Sequence, residues 1–202
     1  MRKKLILILL LLPITYGGIY IFNSLSADKE IFIDGKTIPY ENFDEMENET
    51  QLVVIGKKIK TNETIISKDP ELGRIIDAYS IADFKISRVI NNKTNNDLKD
   101  SDVIKVLELS GSYKDAFGVT TTFQYEDYQA IEDNRNYILY LDESRSDPGV
   151  YIIGAVNYGK IPLDTEKKAT LLDKKENYIN EKVKRIHNQA KEKYREEINN
   201  LK

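Results

Sequence analysis

Ser26-Ala-Asp-Lys29 sets a hydroxyl three residues before an amine, the spacing at which acylating enzymes pair a serine nucleophile with a lysine. No Ser-Asp-Asn or Lys-Thr-Gly companion follows it, and it precedes every expected folded element. Asp97, Asp100 and Asp102 crowd one loop, and carboxylates so spaced are hard oxygen ligands of the kind Ca²⁺ takes. The glycine and closing glutamate of a dedicated calcium loop are missing, so a solvated acidic turn is the expectation. Tyr113, Tyr125, Tyr128, Tyr137, Tyr140, Tyr151 and Tyr158 fall in or beside strand-like runs, where aromatic rings can stack sugars or bases. Half-buried strand tyrosines are the plainer reading. The single histidine, His187, sits among charges and reads as a surface residue. Asn48-Glu-Thr50, Asn62-Glu-Thr64 and Asn92-Lys-Thr94 match glycosylation acceptors by composition alone.

Several chemistries are excluded outright. With no cysteine among 202 residues there is no disulfide, thiolate metal site, iron–sulfur cluster or thiol nucleophile. One histidine rules out multi-histidine metal sites. The ten glycines form neither G-x-G-x-x-G nor a phosphate loop, so nucleotide cofactors have no visible cradle. No residue is therefore assigned a catalytic, cofactor-binding or metal-binding role, and no cofactor is expected.

The elements that would position any site begin with an address. Met1-Arg-Lys-Lys4 precedes an uncharged run over residues 5–22, LILILLLLPITYGGIYIF. As a helix that run spans about 27 Å, close to the ~30 Å hydrocarbon core of a bilayer. The basic start should stay in the cytoplasm, which puts the remainder outside. Residues 1–27 read either as a single-pass anchor or as a signal peptide cut near Ala27 behind Ser24 and Ser26. The length of the run and Tyr16 and Tyr20 at its edge favour the anchor. Membrane contact through residues 5–22 is the first partner expectation.

Charge divides along the chain. Residues 28–164 carry 16 basic and 26 acidic side chains, whereas residues 165–202 carry 11 and 7. An acidic body is repelled by nucleic acid, so none is expected as a partner. An envelope protein or a glycan suits it better.

Residues 28–50 are expected to form a hairpin turning at Asp34-Gly35 and then an acidic connector over residues 41–50, ENFDEMENET. Strand-like runs follow at Leu52–Ile59, Tyr79–Ile90, Val103–Leu109, Val119–Tyr125, Tyr137–Leu141 and Tyr151–Val156. Turn-rich stretches at Asn91–Asp102 and Asp142–Gly149 separate some of them, and residues 126–136 have room for one short helix. Several short strands with turn signals between them predict a mainly β domain over residues 51–163. The series Leu52-Val-Val-Ile-Gly-Lys, Ala82-Asp-Phe-Lys-Ile-Ser-Arg-Val-Ile, Val103-Ile-Lys-Val-Leu-Glu, Arg135-Asn-Tyr-Ile-Leu-Tyr-Leu and Tyr151-Ile-Ile-Gly-Ala with Tyr158-Gly-Lys resembles small exported proteins of low-GC Gram-positive bacteria. More distantly it is similar to netrin-like OB barrels, including tissue inhibitors of metalloproteinases. The resemblance implies an OB-like barrel. It carries over no inhibitory residue, because those inhibitors chelate the protease zinc through an N-terminal cysteine that this chain lacks.

Residues 164–202 contain neither glycine nor proline. Leu172, Ile179, Val183, Ile186, Ala190, Tyr194, Ile198 and Leu201 recur at steps that share one helical face. A charged helix with a narrow apolar stripe is expected, up to about 55 Å long. It is read as solvated and partly docked on the barrel, with self-association through its stripe as an alternative. Deleting residues 165–202 should then leave a folded barrel. The sequence as a whole reads as an extracytoplasmic binding module and not an enzyme, with an envelope enzyme or enzyme inhibitor using an unrecognised carboxylate or tyrosine site as the alternative.

Overall fold

A computed structural model describes residues 28–33, 39–125, 128–163 and 177–201. The apolar run 5–22, the Asp34-Gly35 turn, Ser26 and the start of the C-terminal segment lie outside them. Among the described residues no helix is long and apolar enough to cross a membrane.

The chain is mainly β, as its strand-like runs predict. Strand β1 (Lys29–Ile33) leads to helix α1 (Phe43–Glu49), then β2 (Leu52–Lys68), β3 (Ile75–Asn92), β4 (Val103–Glu108), β5 (Ser110–Lys114), β6 (Thr120–Tyr125), β7 (Asn136–Glu143), β8 (Val150–Ile153) and β9 (Lys160–Pro162). Helices α2 (Asn177–Lys193) and α3 (Arg195–Asn199) complete it. The larger sheet runs β2-β3-β4-β8-β7-β9, and β2 also pairs with β7. That extra pairing closes a ring of five strands, β2-β3-β4-β8-β7, in which only β4 and β8 run parallel. A smaller sheet, β1-β6-β5, lies against the β2–β3 hairpin.

β2, which pairs with β3 on one edge and β7 on the other, bends where the ring closes. Its register with β3 slips between Ile55 and Gly56, and a Cβ on Gly56 would stand 2.1 Å from the Lys85 carbonyl oxygen. Glycine and a bulge together give the curl that closure requires. Gly111 performs a similar task where the smaller sheet crosses the hairpin, since a Cβ there would lie 2.9 Å from the backbone of Ala78 and Tyr79.

Residues 52–56 of β2 and 137–141 of β7 are buried on both faces. Leu52, Val54, Tyr137, Leu139 and Leu141 point into the ring with Phe84, Ile86, Val106 and Tyr151. Val53, Ile55, Ile138 and Tyr140 point outward into a second core with Tyr40, Phe43, Met46, Tyr158, Ile161, Ile186, Ala190 and Tyr194. The helices therefore form a layer over the ring.

The structure refines several expectations. The acidic connector contains a capped helix, Phe43–Glu49. Asn42 Oδ1 accepts the Glu45 N–H at 2.9 Å, Asp44 and Glu45 stand in the first turn, and the Lys93 ammonium donates to the carbonyls of Glu47, Asn48 and Thr50 at the other end. Its Phe43 and Met46 are core residues. Residues 128–136 contain no helix, because Tyr128 and Ile131 are drawn inward individually and not along one helical face. β1 pairs in parallel with β6, and the turn and residues 34–38 of the expected hairpin over residues 30–40 lie outside the described residues. Finally, the C-terminal helix is docked, as expected, but more deeply than a solvated helix in partial contact. Ile186 and Ala190 are fully buried and Tyr194 nearly so, against both the ring and α1. The helix also breaks at Tyr194, whose hydroxyl donates to Glu47 of α1. Removing residues 165–202 uncovers that core.

β2 and β3 run longer than the expected Leu52–Ile59 and Tyr79–Ile90, forming one hairpin that projects beyond the ring to a turn held by Asp69, whose carboxylate accepts the N–H groups of Glu71 and Leu72 at 2.9 and 2.8 Å.

Candidate functional site

The densest chemistry in the described chain is a buried ionic cluster at the edge of the ring. Lys58 lies on β2 just past the Gly56 bend, Glu108 ends β4, Tyr128 and Ile131 belong to the segment after β6, and Lys160 opens β9. Glu108 is 1% exposed. Its Oε2 accepts Lys58 Nζ at 3.0 Å, and its Oε1 accepts the Tyr128 hydroxyl at 3.1 Å and the Ile131 N–H at 2.6 Å. Lys58 Nζ is also 3.2 Å from Asp133 Oδ1, at the rim where the carboxylate meets water. Every oxygen of the buried carboxylate thus has a donor, as an interior charge requires.

Lys160 differs from Lys58. Its Nζ is buried, makes no hydrogen bond among the described residues, and stands 4.0 Å from the centroid of the Tyr128 ring. Burial pulls its proton affinity down to about 7, with the Lys58 charge adding to the fall and Glu108 opposing it. Lys58 is also penalised by burial, but the charge and hydrogen bonds of Glu108, helped by Asp133, hold it above its ordinary value. Burial and the Glu108 carboxylate push the Tyr128 phenol well up, so it stays a donor. A partly neutral amine beside a phenol and a carboxylate is a combination that general bases and Schiff-base lysines use. Here the three are packed among themselves. Two surface depressions lie elsewhere: one of about 750 Å³ along the polar face of α2, the other of about 330 Å³ between Arg88–Ile90 and α3.

The aspartates of the 97–102 loop do not converge. Asp97 pairs with Lys99 at 2.9 Å, Asp100 accepts the Val89 N–H at 2.9 Å, and Asp102 accepts the Lys99 N–H at 2.7 Å. Among the described residues no group of three or more acidic or histidine side chains gathers to hold a metal. The tyrosines do not form one surface either. Tyr113 stacks on Phe123, Tyr125 donates to Asp77, Tyr137 accepts the Glu132 N–H, Tyr151 accepts from Asn96, and Tyr128, Tyr140 and Tyr158 are interior.

His187 is not a surface residue. It is partly enclosed, and its Nε2 lies 3.0 Å from the Asn157 carbonyl and 3.2 Å from that of Tyr158. Both partners only accept, so Nε2 carries the proton. Burial lowers its affinity for a second proton to about 4, against the opposing pull of those two carbonyls. It clamps the Gly154–Gly159 turn, in which Ala155 and Val156 hold positive φ angles of 45° and 58°. Such a conformation is strained for a β-branched residue and is held by its surroundings. No sequence signal marked the Lys58–Glu108–Lys160 cluster, since its members lie far apart and each resembles an ordinary surface charge.

The exposed apolar side chains lie chiefly on the smaller sheet and the projecting hairpin: Ile31, Phe32, Phe117, Leu72 and Ile76. β1 is an edge strand, and none of its five side chains is buried. No family model and no curated protein matches this chain.

Proposed function

We propose that this chain is an extracytoplasmic binding module, anchored in the membrane by residues 5–22 or released by cleavage near Ala27, and that it is not an enzyme. The ring of five strands with a single parallel pair supports reading the body as an OB-like barrel, similar to the exported Gram-positive proteins and distantly to the netrin-like barrels. The observation that carries the binding reading is edge strand β1. Along its free edge the main chain has no described partner, and Phe32 beside it is 59% exposed. An exposed strand edge is a template for an extended partner segment, with main-chain hydrogen bonds giving affinity and alternate side chains giving selectivity. An envelope protein fits that mode better than a glycan, and the acidic body disfavours nucleic acid. Self-association through the C-terminal helix has mainly a polar outer face to use, because Ile186, Ala190 and Tyr194 are turned to the core.

Intact mass and the N-terminal residue, measured on membrane and medium fractions, separate anchor from secreted form. A photo-crosslinking residue at Phe32 should then capture one discrete partner that the same residue at Val103 does not. Equal, diffuse labelling at both sites refutes the binding reading. The alternative, an envelope enzyme or inhibitor, draws its support from the Lys160–Tyr128–Glu108 cluster. It requires that an amine-directed acylating reagent modify Lys160 in the folded chain.

A further inference from the structure

We propose that the β5–β6 turn is a membrane-contacting element in which Phe117 enters the interface of the same bilayer that holds residues 5–22. The inference rests on reading those residues as a retained anchor. Phe117 is 90% exposed, the most exposed of the large apolar side chains described. Its turn is firmly built. The Asp115 carboxylate accepts the N–H groups of Phe117 and Val119 at 2.8 and 3.0 Å, the Asp115 N–H donates to the Val119 carbonyl at 3.0 Å, and Gly118 takes a φ of 86° that an L side chain would resist. The ring is therefore displayed outward on a defined support.

A single exposed phenylalanine is ordinary on a soluble surface. Its position on the chain path is what points to a lipid partner. Asp28 Oδ1 accepts the Thr120 N–H at 3.0 Å, and Lys29 lies in register with Thr121, so the chain enters the fold beside this turn. Phe22, the last residue of the uncharged stretch, precedes Asp28 by only six residues. Fully extended, that link reaches about 20 Å. The tether therefore holds the β5–β6 end of the smaller sheet near the headgroup layer, where aromatic rings favour the boundary between water and hydrocarbon. Lys29 and Lys114 flank the turn and Asp28 and Asp115 balance them in sign. Contact through the ring, and not attraction to anionic lipid, is the mode expected here.

The absence of tryptophan makes the test direct, because each single Phe→Trp or Val→Trp variant of the full chain has one indole. Phe22→Trp, Phe117→Trp and Val103→Trp would be placed in phosphatidylcholine vesicles with brominated acyl chains. Val103 is exposed but begins β4, at the end of that strand away from the smaller sheet. Phe22→Trp and Phe117→Trp should each lose at least half of their fluorescence to the bromines, and Val103→Trp should not. Quenching at Phe22→Trp without quenching at Phe117→Trp overturns the turn's role and leaves the anchor standing. No quenching at either overturns both. Equal quenching at Phe117→Trp and Val103→Trp means that the domain lies down without preference, which also overturns the proposal.

Discussion

Lys160→Met should stabilise the fold at neutral pH and erase much of its pH dependence. In the folded chain the Lys160 amine has its proton affinity lowered by burial from 10.5 to about 7. At about 1.4 kcal/mol per pH unit, that difference is about 5 kcal/mol. The sign follows from which state holds the proton. Below about pH 7 both states are protonated and the full penalty applies. From pH 7 to 10.5 the unfolded chain binds the proton and the folded chain releases it, so stability rises with pH. Between pH 7 and 9 the rise from this one group integrates to about 2 kcal/mol. Tyr128 and Tyr137, raised by burial, keep their protons across that window. Methionine retains the unbranched stem that packs at this position and removes the amine. Urea denaturation of the full chain in mild detergent, at pH 7, 8 and 9, is the assay. The unmodified chain should gain stability across the series, and Lys160→Met should start higher and stay nearly flat. Parallel profiles for the two would mean that the buried amine keeps its proton at pH 9, sustained by the Tyr128 ring and Glu108, and would refute the reasoning.

Three more outcomes are expected. Glu108→Leu leaves the buried Lys58 ammonium with only the rim carboxylate of Asp133 and should lose about 2–4 kcal/mol, while the double change Lys58→Met with Glu108→Leu should recover much of it; urea midpoints of the four chains give the coupling. Ile186→Ala should lose about 2–5 kcal/mol of global stability, read from the denaturation midpoint, because the helix layer belongs to the core; a loss under about 0.5 kcal/mol would restore the detachable-tail layout. His187 should titrate near 4 when followed by NMR, and since the unfolded value is 6.5 the fold should weaken as pH falls from 6.5 to 4; a free-histidine titration near 6.5 would mean that the clamp on the 154–159 turn does not form.

Some of what the structure reveals was legible in residues the sequence displays plainly. Asn42-Phe-Asp-Glu45 is a capping pattern, with a cap side chain three residues before a glutamate, and it announced a helix inside the stretch read as a connector. Glu45 Oε2 does reach back to the Glu41 N–H at 2.5 Å, so the acidic composition of the connector is partly the helix's own N-terminal chemistry. Leu52-Val-Val-Ile55 and Tyr137-Ile-Leu-Tyr-Leu141 are continuous apolar runs with no alternation. Runs of that kind mark strands covered on both faces and so imply a second layer. The apolar stripe of the C-terminal segment is the complementary surface. The two signals together locate the helix on the sheet, although neither does so alone.

What the sequence by itself determined is local: period-2 and continuous apolar runs for strands, a 3.6-period stripe for the C-terminal helix, the lack of thiol and multi-histidine chemistry, and the apolar N-terminal stretch. These depend only on neighbouring residues and on backbone geometry. Tertiary structure alone decided the rest. Closure of the ring rests on β2 pairing with β7, which lies more than seventy residues away and which the Gly56 bend permits. The interior place of Lys58, Glu108 and Lys160 depends on strand ends brought together by that closure. A lysine at a strand end reads as a surface charge until the neighbours that exclude water from it are known. His187 reversed its reading for the same reason: its hydrogen-bond partners are the carbonyls of a turn thirty residues earlier, and only the packing of the helix on the ring brings them into reach.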